Sequence, residues 1–227
     1  MRLENIDRQL LLLLNGSESL YLDGVAMTLT SALTWVPLYI ALFVVVLRNN
    51  NSFVKILLVL LCAFLCILFS GIADEVIIKP LVGRWRPTWD PEIGHLVDVV
   101  DGYRETSYGF FSAHAANTFS ITVFMTLLMH SRLISIALLA WSLINCWTRI
   151  YLGVHFPGDI VVGILWGAVV AVLVYLLFLR LEKCVYCIDR RPSPRFTSTG
   201  YFKDDANIVM SVFVFTIVYA LIRASII

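Results

Sequence analysis

Charged residues are scarce in this chain. They make up 15% of its 227 residues, against about 25% in an average soluble domain. Hydrophobic residues reach 59%, and the mean hydropathy is +0.85. Because the apolar residues form long uncharged blocks, the sequence excludes a soluble protein with a large core and indicates an integral membrane protein. The net charge of +1 gives no sign of a nucleic-acid partner.

Cysteine is also sparse, and its placement argues against a disulfide framework. The chain has five cysteines, of which three lie inside apolar runs, where we expect small reduced core residues: Cys62, Cys66 and Cys146. Cys184 and Cys187 form one Cys-x-x-Cys pair. Without a second pair, this spacing favours two reduced thiols over a zinc site.

Six uncharged runs predict transmembrane helices, because a span needs about 20 apolar residues. They cover residues 24–47 (with a kink at Pro37), 56–73, 106–131, 133–148, 160–179 and 206–222. The third helix is expected to begin near Ser112, and the fourth is long enough only if it continues through residues 150–152. In lipid, backbone groups must be satisfied within the chain. We therefore predict an all-α fold: one six-helix transmembrane bundle forming a single domain over residues 1–227, with 206–227 as the last transmembrane segment.

The remaining segments predict the surroundings of the bundle. Apolar residues at helical spacing in residues 1–20 indicate a short amphipathic helix, lying at the membrane interface or packed as a cap on the bundle. Residues 79–111 form the longest connection, and 182–205 form a basic loop. Once the cations of the motifs below are set aside, Lys and Arg are in excess on the side of 182–205. The positive-inside rule then places 182–205 in the cytoplasm, and 79–111 and both termini outside.

Three segments combine charge with glycine and proline beside apolar runs: residues 79–87, 111–114 and 148–159. Charge at such depth in a membrane protein is costly and marks a functional site. Under the six-helix prediction, all three segments lie at the same end of the bundle. The sequence therefore indicates one site, with 79–111 as an extramembrane loop over it.

The cations in these segments suit a phosphate group, which carries about two negative charges and needs cationic and N–H donors. Lys79 supplies a point charge, whereas Arg86 and Arg149 supply planar forks. If residues 79–86 form a helix, Lys79 and Arg86 share one face at i, i+7. The segments thus predict a phosphate-binding pocket.

The same segments contain groups for phosphate transfer. The hydroxyl of Ser112 and the free amides of Ala113 and His114 would face an anion at a helix start. His155 and Asp159 are four residues apart, so the carboxylate can accept one ring N–H and leave the other nitrogen free to attack phosphorus. His114 is the candidate acid for the leaving alkoxide and the later base for water. Because no carboxylate cluster suggests a metal site, we expect neither a metal nor another cofactor.

The residues around these groups leave alternatives open. Arg84 either contacts substrate or extends toward lipid headgroups, and Asp74 and Glu75 either pair with the pocket cations or face water. An interfacial aromatic belt is the favoured role, over contact with a substrate tail, for four aromatic residues: Trp85, Trp89, Tyr103 and Tyr108.

The three segments resemble the signature of the type 2 phosphatidic acid phosphatase family, which reads Lys-x6-Arg-Pro, Pro-Ser-Gly-His and Ser-Arg-x5-His-x3-Asp. The matching residues are Lys79–Pro87, Phe111–His114 and Thr148–Asp159. Spacing within each motif is intact, with Phe, Ala and Thr replacing Pro, Gly and Ser at Phe111, Ala113 and Thr148. The methyl group of Ala113 is the departure expected to alter phosphate affinity.

The resemblance implies roles for particular residues. His155 would be the nucleophile, His114 the acid and Asp159 the partner of His155. Phosphate would be bound by five residues: Lys79, Arg86, Ser112, Ala113 through its amide, and Arg149. Many short bacterial members have three helices before the first motif, whereas this chain has two and an extra C-terminal helix, which we conjecture fills the missing place.

The resulting hypothesis is a metal-independent membrane lipid phosphatase in the bacterial inner membrane, with its active site facing the periplasm. Its substrate would be a phosphorylated lipid: lipid A phosphate, undecaprenyl diphosphate, phosphatidylglycerol phosphate or phosphatidic acid. Alternatives are a phosphotransferase that passes phosphate to another lipid or sugar, and a non-catalytic binder of lipid phosphates. The sequence does not indicate an oligomeric state.

Overall fold

The computed structural model describes residues 3–72, 74–105, 108–185 and 194–226. Throughout these residues the regular structure is helical, with two isolated β-bridges, so the predicted all-α class is confirmed. The helices are α1 Leu3–Leu14, α2 Leu20–Thr30, α3 Val36–Asn49, α4 Phe53–Ile67, α5 Lys79–Val82, α6 Ala113–Met129, α7 Arg132–Tyr151, α8 Pro157–Val185 and α9 Ala206–Ala224. Cys187 and much of the predicted basic loop lie outside the described residues.

The first predicted transmembrane helix is divided, not kinked. Helix α2 ends at Thr30, a 3₁₀ turn covers Ala32–Trp35, and α3 begins at Val36. The break is stable because the Trp35 indole N–H donates to the carbonyl of Leu29 at 2.8 Å. This bond satisfies one of the carbonyl groups that a helix end leaves free. Proline is tolerated in the first turn of a helix, so Pro37 starts α3 instead of bending a longer helix.

The second predicted helix is longer than expected. Helix α4 begins after the Ser52 cap and is followed by two π-helical segments, Leu68–Ile72 and Asp74–Ile78, and then by α5, which ends at Val82 before Gly83 with φ 62°. Glycine adopts this left-handed conformation without strain. Lys79 thus lies in the last helical turn, whereas Arg86 follows in extended backbone. Residues 79–86 therefore do not form one helix, and the condition for Lys79 and Arg86 to share a helical face is not met.

The later helices agree with their predicted positions. Helix α6 starts directly after Ser112, and α7 continues to Tyr151. Among the described residues, five helical segments are long and apolar enough to cross a membrane: Ala32–Asn49, Phe53–Val82, Arg132–Tyr151, Pro157–Lys183 and Lys203–Ala224. Helix α6 is apolar but shorter, at 17 residues. The fold is thus an all-helical membrane bundle, and the number of six spans stays a prediction.

Helix α1 packs against the bundle through one face. Leu11 is fully buried in a cluster with Ile93, Val97 and Phe156, whereas Leu13 on the other face is 80% exposed. The amphipathic pattern of residues 1–20 therefore belongs to a helix that covers the long connection and the start of α8. Its location at a membrane interface stays a prediction.

The two ends of the bundle carry different segments. At one end, the short connections after α3 and α6 meet residues 198–205: Asn49 donates to Asp205 at 2.7 Å, and His130 lies 2.7 Å from Ser198. The opposite end holds α1, the 79–111 connection and the start of α8. Helix α9 packs against α2, α3 and α7. The side of the bilayer that each end faces stays a prediction.

Helices α6 and α8 approach closely through small residues. A Cβ atom on Gly163 would lie 2.7 Å from the carbonyl oxygen of Ser112, and one on Gly167 would lie 2.4 Å from that of Ala116. Such small-xxx-small spacing lets membrane helices pack backbone to backbone. Since α6 and α8 begin with the second and third motifs, this contact sets the distance between those motifs.

We predict that Gly167→Ala destabilises the protein by about 1–3 kcal/mol, the cost of overpacking a close contact. The added methyl group meets the backbone of α6, which can yield only if the helices separate. Thermal unfolding in detergent measures the effect. Val169→Leu, which enlarges a side chain that is 51% exposed on the same helix, is the control. Equal melting temperatures for the two variants would contradict the prediction.

Candidate active site

The three motif segments come together at one end of the bundle, and nearly all of their predicted site residues are buried. Side chains with less than a tenth of their surface exposed are Lys79, Arg86, Ser112, Ala113, Arg149, His155 and Asp159, and His114 is half-buried. Three of these buried side chains are cationic, and we call Lys79, Arg86 and Arg149 the cationic cluster. Buried charges require partners, and these partners define the site.

Arg86 binds the imidazole of His155. Its Nη1 atom donates to the carbonyl of Val154 at 3.0 Å and lies 2.9 Å from Nε2 of His155. A guanidinium group has only donors, so Nε2 accepts and carries the lone pair. The ring proton therefore resides on Nδ1. This arrangement places the lone pair of the ring on Nε2, the nitrogen that faces the cationic cluster.

Arg149 is fully buried in the last turn of α7. Its Nη1 atom donates to the hydroxyl of Thr30 at 2.8 Å and to that of Tyr103 at 3.2 Å. Tyr103 thus contributes to the site, whereas its place in an aromatic belt stays a prediction. Thr30 is the last residue of α2, so the break between α2 and α3 brings a hydroxyl group to the arginine.

Glu105 joins two members of the cationic cluster. One carboxylate oxygen lies 2.8 Å from Nη2 of Arg86, and the other pairs with Nη2 of Arg149. The hydroxyl of Tyr103 donates to the same carboxylate at 3.1 Å. Although burial opposes ionisation, Arg149 and Arg86 lower the pKa of Glu105 to about 2. An ionised carboxylate therefore occupies the place between the two guanidinium groups.

Lys79 takes its partners from its own helix. Its ammonium group lies 3.4 Å from Asp74 and forms an ion pair with Glu75, one turn earlier. Of the two roles left open for these carboxylates, pairing with a site cation is therefore confirmed. Lys79 remains at the edge of the cluster, within electrostatic range of His114 and His155.

The start of α6 adds hydrogen-bond donors. Ser112 caps the helix, since its hydroxyl accepts from the amide of Ala115 at 3.3 Å, and its own amide donates to the carbonyl of Asp159 at 3.2 Å. The amides of Ala113 and His114 lie in the first turn, where no intrahelical acceptor exists. The predicted helix start at Ser112 is therefore present, Ser112 also links it to α8, and binding of an anion by these amides stays a prediction.

His155 is held between the cationic cluster and Asp159. Burial, together with Arg86, Arg149 and Lys79, lowers the pKa of His155 well below its usual value, so the ring is neutral at physiological pH. Its Nδ1 atom lies 3.7 Å from Oδ2 of Asp159, too far for a hydrogen bond. The predicted hydrogen bond between this pair is therefore wrong for this structure.

Asp159 is engaged elsewhere. Its Oδ2 atom accepts from the amide of Phe156 at 3.0 Å, and its Oδ1 atom lies 2.6 Å from Nη1 of Arg84. Arg84 also contacts Asp7 of α1 at 2.6 Å. Neither of the two roles considered for Arg84 included these ion pairs.

Sequence reasoning missed Glu105, Asp7 and Thr30. Each lies outside the three motifs, and each reaches the site through a contact between distant segments. The motifs contain more cations than carboxylates. This excess could have indicated a further acidic partner, but it does not identify the residue.

Comparisons with known proteins place this geometry in a family. A model of the PAP2 superfamily matches residues 54–183. The chain is 38% identical over 177 residues to the lipid A 4'-phosphatase of Bacteroides thetaiotaomicron, covering 77% of this chain and 78% of that protein. It is 32% identical over 176 residues to the lipid A 4'-phosphatase of Porphyromonas gingivalis, covering 77% of this chain and 73% of that protein.

Two solved structures share the fold. Aquifex aeolicus LpxE has a TM-score of 0.55 at 24% identity, covering 73% of this chain and 92% of that one. The first transmembrane PAP2 type phosphatidylglycerolphosphate phosphatase from Bacillus subtilis has a TM-score of 0.55 at 18% identity, covering 81% and 86%. The family match includes all three motif segments, and the fold agrees with it: the chain belongs to the PAP2 superfamily.

Proposed function

We propose that this protein is a membrane lipid phosphatase that removes the 4'-phosphate of lipid A through a phosphohistidine intermediate on His155. The observation that carries the phosphatase proposal is the pairing of Arg86 and Arg149 with one carboxylate, that of Glu105, beside Nε2 of His155. A carboxylate and a phosphate present similar oxygen pairs to a guanidinium fork. The place that Glu105 occupies therefore suits the phosphate of a substrate.

The reaction has two steps. The Nε2 lone pair of His155 attacks phosphorus, the bond from phosphorus to the sugar oxygen breaks, and His114 gives its proton to the leaving oxygen. Water then attacks the phosphohistidine while His114 accepts a proton, the P–N bond breaks, and inorganic phosphate leaves. The cationic cluster and the amides at the start of α6 stabilise the charge that develops on the phosphoryl oxygens.

Metal independence is part of the proposal. Arginine and lysine side chains can supply the charge stabilisation that a divalent cation supplies in other phosphatases. In the portion of the chain that the structure describes, no three His, Cys, Asp or Glu side chains form a group able to hold a metal ion.

The substrate is proposed from the relatives. The two lipid A 4'-phosphatases cover most of this chain at 32–38% identity. Undecaprenyl diphosphate, phosphatidylglycerol phosphate and phosphatidic acid are the comparison substrates, since each presents a terminal phosphate on a lipid. We propose location in the bacterial inner membrane with the site facing the periplasm, in accord with the distribution of Lys and Arg.

Lipid A should be the preferred substrate in a panel of these four lipids. We expect the purified protein to release phosphate from lipid A fastest, with the 4'-phosphate lost, as mass spectrometry of the product would show. His155→Ala should lower the rate by at least about 10³-fold, because it removes the nucleophile of the proposed reaction. His130→Ala, at the other end of the bundle, is the control. Preference for another lipid would reject the proposed substrate, and turnover by His155→Ala would reject the nucleophile.

The intermediate should be trapped on His155. Acid-labile, base-stable label from a ³²P-labelled substrate is expected on the wild-type protein after rapid denaturation, and none on His155→Ala. Labelling should persist in the presence of a chelator, because the cationic cluster replaces a metal ion. Loss of label with the chelator, restored by added Mg²⁺ or Zn²⁺, would contradict metal independence.

Glu105→Gln should strengthen phosphate binding. The substitution keeps the shape of the side chain but removes the negative charge that competes with substrate for Arg86 and Arg149. We expect about a tenfold lower inhibition constant for vanadate, a change of about 1.4 kcal/mol. Glu92→Gln, in the same connection but 72% exposed, is the control. Weaker vanadate binding by Glu105→Gln would instead make Glu105 a support for the two arginines.

A further inference from the structure

The environment of Asp159 differs from that expected for a simple histidine partner. This carboxylate is completely buried, and its shortest contact, at 2.6 Å, is with Arg84 and not with His155. The ring nitrogen that it should orient, Nδ1 of His155, has no hydrogen-bond partner within the described structure. The distance between Asp159 and His155 is therefore governed by whatever holds Arg84.

Arg84 is held by helix α1. Its Nη2 atom lies 2.6 Å from Oδ2 of Asp7, and its guanidinium group stacks 4.3 Å from the ring centre of Phe156. The other oxygen of Asp7 accepts from the amide of Gly158 at 2.7 Å. Asp7 thus binds both the arginine that contacts Asp159 and the first turn of the helix on which Asp159 lies.

Helix α1 is fixed in this position by further contacts. Arg8 forms a salt bridge with Asp90 at 3.0 Å, and a second with Glu92. Both acidic residues belong to the connection that covers the site. With the buried contact of Leu11 in the same helix, these bonds make α1 a packed wall of the active site.

We propose that Arg84 and Asp7 are positioning residues, which together set how closely Asp159 supports His155 during phosphoryl transfer. The inference rests on the proposed role of His155 as nucleophile. Positive charge develops on the imidazole when Nε2 attacks, and a carboxylate near Nδ1 stabilises that charge. Arg84 competes for the same carboxylate. Asp7 offsets the charge of Arg84 and so leaves Asp159 available to the ring.

The two residues therefore act in opposite directions. Loss of the Asp7 charge leaves Arg84 unopposed, which draws Asp159 away from the histidine. Loss of the Arg84 charge frees Asp159 to approach Nδ1 and favours the protonated ring. The other charged or titratable groups around His155 remain in place in both cases. Lys79, Arg86, His114 and Arg149 act on it directly, and Glu105 pairs with the two arginines.

The test compares Asp7→Asn and Arg84→Gln with wild type and with Glu4→Gln, an exposed position on the same helix. Rapid quench measures the rate of phosphohistidine formation between pH 4 and 8. Asp7→Asn should slow formation about tenfold, the size expected on losing a group that orients a reacting side chain, with KM unchanged. The acid limb of its plot of rate against pH should move to lower pH. For Arg84→Gln, the acid limb of the same plot should move to higher pH.

The double variant checks that the two residues act through one another. Because Asp7 acts by opposing the charge of Arg84, Asp7→Asn should have less effect in the Arg84→Gln background than in wild type. Rates within twofold of wild type with unmoved acid limbs would overturn the inference. A slower rate that follows thermal stability, again with unmoved acid limbs, would overturn it as well. Absence of phosphohistidine in the wild type would instead reject the proposed function.

Discussion

Burial of positive charge at one end of an apolar bundle is the constraint on which the site depends. Each member of the cationic cluster (Lys79, Arg86 and Arg149) has at most 4% of its surface exposed. An unpaired buried charge costs several kcal/mol, so the chain must bring negative charge to this end. Lys79 obtains it within its own helix, whereas the arginines require Glu105 from the long connection. The path of residues 79–111 over the site thus follows from the need to pair these cations.

The sequence predicted the features that depend on neighbouring residues, namely the positions of the helices and the start of α6. Uninterrupted apolar runs located the helices, and Ser112 located the start of α6, because caps and hydropathy depend on neighbouring residues. The three motifs lie at one end because the connection joins the first two there, and α6 and α7, between the second and third, each cross the bundle once. The break after Thr30 was not predictable, since it depends on Trp35 bonding to a free carbonyl group. Glu105 and Asp7 were missed for a similar reason: their partners lie in other segments.

The backbone contact between α6 and α8 explains how a site made from separate segments keeps its geometry. Gly163 and Gly167 let the two helices meet at the level of Ser112 and Ala116. At the end of this contact, the amide of Ser112 donates to the carbonyl of Asp159. The start of α6 and the carboxylate beside His155 therefore belong to one unit. Arg86 and Glu105 do not belong to this unit, because they lie on the connection and contact the site from there.

The different attachment of the acidic groups has a consequence for proton transfer. Asp74 and Glu75 lie on the helix of Lys79, whereas Glu105 lies on a connection and is the carboxylate that a phosphate would replace under the proposed function. By formal charge, the three cations and three carboxylates balance before binding. A phosphate dianion in place of Glu105 changes the balance to minus one. Negative charge favours protonation of a neighbouring imidazole. In the proposed reaction, substrate binding itself would therefore place on His114 the proton that this residue gives to the leaving oxygen.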